Sequence, residues 1–116
     1  KGGMAPAYGD PAALTDALVE RYHAMLIAPG VRRAVLDRMR QHILVPPEPI
    51  LARIAAPTLL LWGEKDAMVP ATNAADYLRA MPDARALVLP GIGHVPMEEA
   101  PAETAGAIRQ FIALPR

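Results

Sequence analysis

The 116 residues contain no cysteine and no serine. Without cysteine there is no disulfide frame, no thiolate nucleophile and no thiolate zinc site, and this usage fits a reducing, cytoplasmic setting. Without serine the commonest hydrolytic nucleophile is missing. Thr15, Thr58, Thr72, Thr104 and the tyrosines carry the only side-chain hydroxyls. Net charge is missing too: Lys and Arg total 12, and so do Asp and Glu. That balance removes the electrostatic ground for a nucleic-acid partner or an anionic membrane. The longest apolar run falls far short of the roughly 20 residues that a bilayer-spanning helix needs, so no membrane partner is expected. No metal-ligand spacing such as His-x-x-x-His occurs, and neither a metal nor a cofactor is expected.

What is present is a globular composition, 53% hydrophobic and 21% charged, unlike that of a disordered chain. At this length one domain is the default, burying about 65% of its unfolded surface. The chain opens Lys1-Gly2-Gly3 and reaches its first methionine at position 4, which fits a fragment or a cloning scar. Residues 1–13, rich in Gly and Pro, read as a loop. Leu14, Leu18, Tyr22, Met25 and Leu26 then fall on one face at helical spacing, with Thr15 or Asp10 as the cap and Pro29-Gly30 as the stop. Val31, Val35, Met39 and Ile43 step by four and predict a second helix over 31–43. The two form a helical hairpin. Pro46, Pro47 and Pro49 break regular structure and divide a helical cap or lid segment, 1–47, from a second segment, 48–116.

Beyond a short turn at 50–54 the periodicity changes. Thr58-Leu59-Leu60-Leu61-Trp62 is a continuous apolar run closed by Gly63, the pattern of a parallel strand covered on both faces. A helix over 71–80, a Met81-Pro82-Asp83 turn, a second strand over 86–89 ended by Pro90-Gly91, and a helix over 102–113 follow. Ala105, Ile108 and Ile112 share one face of that last helix, with Phe111 alongside. The fold class is α/β: strand, helix, strand, helix, with parallel strands and a right-handed crossover. Two strands alone make a marginal sheet, so further strands are expected from a missing N-terminal half or from a second copy of the chain.

In a parallel sheet, functional groups gather beyond the carboxyl ends of the strands. The two loops there are Trp62-Gly63-Glu64-Lys65-Asp66-Ala67-Met68-Val69-Pro70 and Pro90-Gly91-Ile92-Gly93-His94-Val95-Pro96-Met97-Glu98-Glu99. Neighbouring strands emerge about 5 Å apart, which brings Asp66 within reach of His94. A carboxylate on the Nδ1–H of a histidine fixes its tautomer and stabilises the imidazolium formed during proton transfer.

These two loops, in this order and ending in Ala100-Pro101, resemble the C-terminal part of the α/β-hydrolase superfamily: the end of the cap, the acid loop, the histidine loop and the last helix. The resemblance implies that Asp66 is the triad acid and His94 the triad base, in the chain order nucleophile, acid, histidine. Glu99 and Pro101 match the Glu-x-Pro that positions the last helix, and residues 8–40 are similar to the end of the cap. The Gly-x-Ser-x-Gly elbow, its Gly-x-Asp-x-Gly version and the oxyanion loop are not in these residues, so nothing here supplies a nucleophile for the pair to activate.

Other polar residues read more plainly. Asp66 as a turn aspartate and His94 as a turn histidine are the competing readings, disfavoured because both loops occur in order. His23 and His42 lie on helices without a partner pattern. Met25, Met39 and Met81 are packing residues, while Met97 is in addition a candidate for lining a substrate pocket. Arg32, Arg33, Arg38 and Arg40 form a solvated face, since no aromatics are interleaved with them. Glu98 and Glu99 point apart on a helix and do not form a carboxylate pair.

Two functions follow. In the first, the chain is part of a serine hydrolase acting on small ester or acyl substrates. Asp66 and His94 come from this chain, and the nucleophile comes from the missing half. Ester, lactone, carbon–carbon, epoxide and haloalkane chemistries share such a tail, and Val95-Pro96-Met97 leans towards the esterase-like members. In the alternative, the chain is a non-catalytic module that self-associates, as a homo-oligomer when alone, or binds a partner through an exposed strand edge.

Overall fold

The computed structural model describes residues 2–115. Helix α1 spans Asp16–Ile27, and its N-cap Thr15 accepts the Leu18 N–H at 3.2 Å, satisfying one of the free amides of the first turn. Asp10, the other candidate cap, serves an upstream 3-10 turn instead, accepting the Ala12 N–H at 2.9 Å. Gly30, at φ +83°, turns the chain into α2, Val31–Arg40. A β-branched or bulky residue would be strained there. Arg38 and Arg40 lie in the last turn of α2, where positive charge suits the helix dipole. The helix stops at Arg40 and not at Ile43. Ile43, Leu44 and Val45 are exposed, so no tertiary contact rewards another turn.

After a single helical turn, α3 at Glu48–Leu51, the chain enters β1, Thr58–Gly63. A 3-10 turn at Ala71–Asn73 leads into α4, Ala74–Ala80, which carries the crossover to β2, Ala84–Leu89. The strands are parallel, with Thr58 opposite Ala84 and Gly63 opposite Leu89. β2 therefore starts two residues earlier than its apolar run suggests. The ladder, not hydropathy, sets the boundary, and the Thr58 N–H bonding to Asp83 O at 2.9 Å extends it by one rung. The Trp62 ring stands edge-on to Tyr77, centroids 5.8 Å apart, and so locks the crossover helix to β1.

The loop after β2 contains a helical turn of its own, α5 at Pro96–Glu99, and Pro101 opens α6, Pro101–Ile112. The buried face of α6 differs from the expected one. Thr104 is buried and Ala107 and Phe111 are half-buried, whereas Ile108 and Ile112 are exposed. Thr104 donates to Pro96 O at 3.0 Å, and this bond to α5 rotates the helix so that its Thr104–Ala107–Phe111 row is the covered one. β1 is half-buried from Thr58 to Trp62, while Arg85–Val88 of β2 are exposed, so the two-stranded sheet is covered less than its apolar sequence anticipates. Among the described residues no helix is long and apolar enough to cross a membrane.

Candidate active site

The sequence dictates how the two loops meet. β1 ends at Gly63, whose missing side chain lets the backbone of the second loop lie directly on it. A Cβ there would collide with the carbonyl oxygens of Ile92 and Gly93. Three hydrogen bonds then hold the loops in register: Glu64 N–H to Leu89 O at 3.0 Å, Lys65 N–H to Ile92 O at 2.8 Å, and Gly91 N–H to the Glu64 carboxylate at 2.8 Å. Gly91, at φ +75°, makes the bend that this closure requires.

The result places Asp66 Oδ2 2.8 Å from His94 Nδ1. Asp66 Oδ1 accepts the Met68 and Val69 N–H groups at 2.9 and 2.8 Å, and the loop carrying these donors is tied down by the Trp62 indole N–H bonding to Val69 O at 2.8 Å. Burial pushes the Asp66 pKa up, but the donors from Val69, His94 and Met68 outweigh it and hold the carboxyl below its ordinary value. Asp66 is thus a buried, ionised acceptor with both oxygens engaged. His94 is half-exposed and lines a cavity of about 270 Å³ together with Leu61, Trp62, Val69 and Pro96. The ring is anchored at Nδ1 and lines the cavity, an arrangement suited to proton transfer at Nε2.

Met97 is not brought into this cavity; its side chain is exposed. His23 and His42 are also exposed and do not line this cavity. Among the described residues no group of three or more His, Asp and Glu side chains is placed to hold a metal ion.

Glu98 and Glu99, expected to point apart on a helix, have distinct partners. They do point apart. Glu98 accepts the Tyr8 hydroxyl at 2.5 Å, the Tyr22 hydroxyl at 2.8 Å and the Arg21 guanidinium at 2.6 Å, joining α1 and the N-terminal strip to α5. The Tyr8 hydrogen bond and the other donors draw its pKa down despite burial. Glu99 accepts the Gly93 N–H at 2.7 Å on one oxygen, and the Gly9 and Asp10 N–H groups at 2.8 and 3.3 Å on the other. The only available signals were Gly9 and Gly93, glycines 84 positions apart that lie backbone on backbone.

With this geometry established, similarity to known proteins is informative. A model of the alpha/beta hydrolase family matches residues 2–107. Lipase 1 of Psychrobacter immobilis is 36% identical over 62 residues, 53% of this chain and 20% of the lipase. Haloalkane dehalogenase 2 of Mycobacterium tuberculosis is 33% identical over 104 residues, covering 81% of this chain and 36% of the dehalogenase. Among solved structures, a serine hydrolase involved in carbazole degradation superposes with a TM-score of 0.86 at 24% identity. That match covers 98% of this chain and 46% of the hydrolase, and it bears on fold alone. The chain spans about a fifth to a third of the length of these two curated relatives.

Proposed function

The chain belongs to the alpha/beta hydrolase family, and from that premise we propose that it supplies the acid and the base of a serine-hydrolase centre acting on small ester substrates. The observation that carries this reading is the 2.8 Å contact between His94 Nδ1 and buried Asp66, at the mouth of an apolar cavity. The nucleophile is a serine hydroxyl from a segment outside these 116 residues.

In the reaction His94 Nε2 takes the hydroxyl proton as the oxygen attacks the ester carbonyl. Asp66 stays ionised and stabilises the imidazolium through Nδ1–H without accepting its proton. The imidazolium then protonates the departing alkoxide, and the same nitrogen activates the water that releases the acid. Asp66 suits this role because its second oxygen is held by two backbone amides, which prevents it from turning away as charge develops on the ring.

The test uses the complete protein that carries these residues. It is expected to hydrolyse a p-nitrophenyl ester, to be labelled and silenced by a serine-directed fluorophosphonate, and to lose turnover in His94→Ala. Absence of both labelling and ester turnover refutes the ester reading. Halide release from a haloalkane without fluorophosphonate labelling replaces it with dehalogenation, the activity that the similarity to haloalkane dehalogenase 2 supports.

A further inference from the structure

The Asp66 contact fixes only the ring of His94; the backbone that carries the ring must be held by something else. The His94 N–H donates to Ala7 O at 2.7 Å, so the histidine peptide leans on the N-terminal strip. The preceding peptide, through the Gly93 N–H, bonds to Glu99 Oε1 at 2.7 Å. Glu99 Oε2 in turn receives the Gly9 N–H at 2.8 Å, from the strip that carries Ala7. The bonds close a ring: strip to His94, Gly93 to Glu99, and Glu99 back to the strip. No side chain separates the segments, since a Cβ on Gly93 would meet the Tyr8 and Ala7 backbone as well as the Gly9 nitrogen. A carboxylate suits the junction because it is acceptor-only, with two oxygens for two sets of amides, and ionised acceptors make the stronger bonds.

We propose that Glu99 is a positioning residue for His94: its carboxylate clamps the histidine loop to the N-terminal strip and thereby aims the imidazole between Asp66 and the cavity. This deepens the resemblance-based role, in which the same glutamate positions the last helix, and it rests on the reading of His94 as the base. An amide at 99 has a single acceptor oxygen. It must leave either the Gly93 or the Gly9 N–H facing an NH₂ group, so one side of the clamp opens. Displacing a catalytic group by about 1 Å is enough to cost about 100-fold in rate.

In the complete protein, Glu99→Gln is expected to lower kcat on a p-nitrophenyl ester by about 10- to 100-fold, with KM within about twofold. The Nδ1–H proton resonance of His94, read by NMR on ¹⁵N-labelled protein, should move or broaden. Asp37→Asn should leave that resonance in place, because Asp37 pairs with Arg33 and Arg40 within α2. A folded Glu99→Gln protein that keeps both the rate and the resonance overturns the proposal. If that variant does not fold, Glu99→Asp is read the same way. It keeps the charge but is one methylene too short for both partners, and an undisplaced resonance again overturns the proposal. If the wild type shows neither ester turnover nor fluorophosphonate labelling, the ester reading fails. The resonance comparison still decides the positioning role.

Discussion

Asp66 is 9% exposed, whereas the side chain of its partner His94 is 37% exposed. The carboxylate is sealed against rearrangement and the ring remains accessible. Replacing Asp66 by Asn exploits that asymmetry. The Met68 and Val69 amides continue to claim the oxygen at the Oδ1 position, so the new NH₂ group faces His94 Nδ1. Nδ1 must then be the acceptor and the proton moves to Nε2, the wrong tautomer for a base. Asp66→Asn should therefore lower kcat in the complete protein by about 10³- to 10⁴-fold with KM little changed. A loss of only a few-fold would move the acid elsewhere and return Asp66 to a turn residue. The titrations of Glu98 and Tyr8 make a second prediction. Asp66 and Glu98 have folded pKa values below their ordinary ones, so the unfolded chain binds more protons in acid. Their stabilisation is complete above about pH 4–5 and is lost as pH falls through the depressed values. Burial, aided by the hydrogen bond to Glu98, raises Tyr8 from 10.0 to about 12. Its contribution is complete below about pH 10 and is lost as pH rises towards 12. Urea midpoints across pH should fall at both ends, and Tyr8→Phe should flatten the alkaline limb and, by removing a donor to Glu98, the Glu98 share of the acid limb. An unchanged alkaline limb would detach Tyr8 from Glu98.

At the scale of elements, three backbones meet where side chains would not fit. The end of β1 at Gly63, the loop at Gly93 and the strip at Gly9 stack directly. Gly63→Ala places a methyl group against two carbonyl oxygens that cannot swing aside, since the adjoining amides are bonded. It should cost about 1–3 kcal/mol in urea unfolding and lower activity by parting the loops that join Asp66 to His94. A neutral result would mean that the loops separate freely. This junction also shows what sequence reading reaches. β1, the crossover helix and the Asp66–His94 pairing were legible because an apolar run ended by glycine, repeated once, dictates parallel neighbours with adjacent loops. The docking of the strip on the histidine loop was not legible. Its bonds run from Ala7 O and the Gly9 N–H, groups every residue possesses, so no side-chain pattern announces them. Glu98 and Glu99 were read correctly as diverging, yet their partners other than Gly93 lie 76 to 90 positions away. The buried face of α6 was misread for a related reason. Hydropathy nominated Ile108 and Ile112, but the Thr104 hydroxyl bonding to Pro96 O decides the rotation.

The whole molecule is looser than its length warrants. Its radius of gyration is 16.6 Å, against about 13 Å for a compact domain of this size. Its accessible surface is 8485 Å², against about 6,100 Å² for a folded monomer of the same mass. The surplus, about 2,300 Å², is nearly three times what one partner buries in a standard protein interface. Met25, Leu26, Val35, Leu36 and Met39 on the helical hairpin, and Leu87 and Val88 on β2, are exposed in consequence. Among the described residues the sheet has two strands, so the second edge of β1 presents amides and carbonyls without a strand partner beside Leu59, Leu60 and Leu61. A second strand laid along β1 satisfies that edge, and a two-fold axis supplies one from an identical chain. The 116-residue chain expressed by itself should therefore elute as a dimer or larger species, dissociating on dilution with loss of structure. Size-exclusion chromatography with light scattering, followed by circular dichroism of the same fractions across dilution, tests this. A concentration-independent monomer with cooperative unfolding would refute it, and would mean that the hairpin closes over the β1 edge in solution.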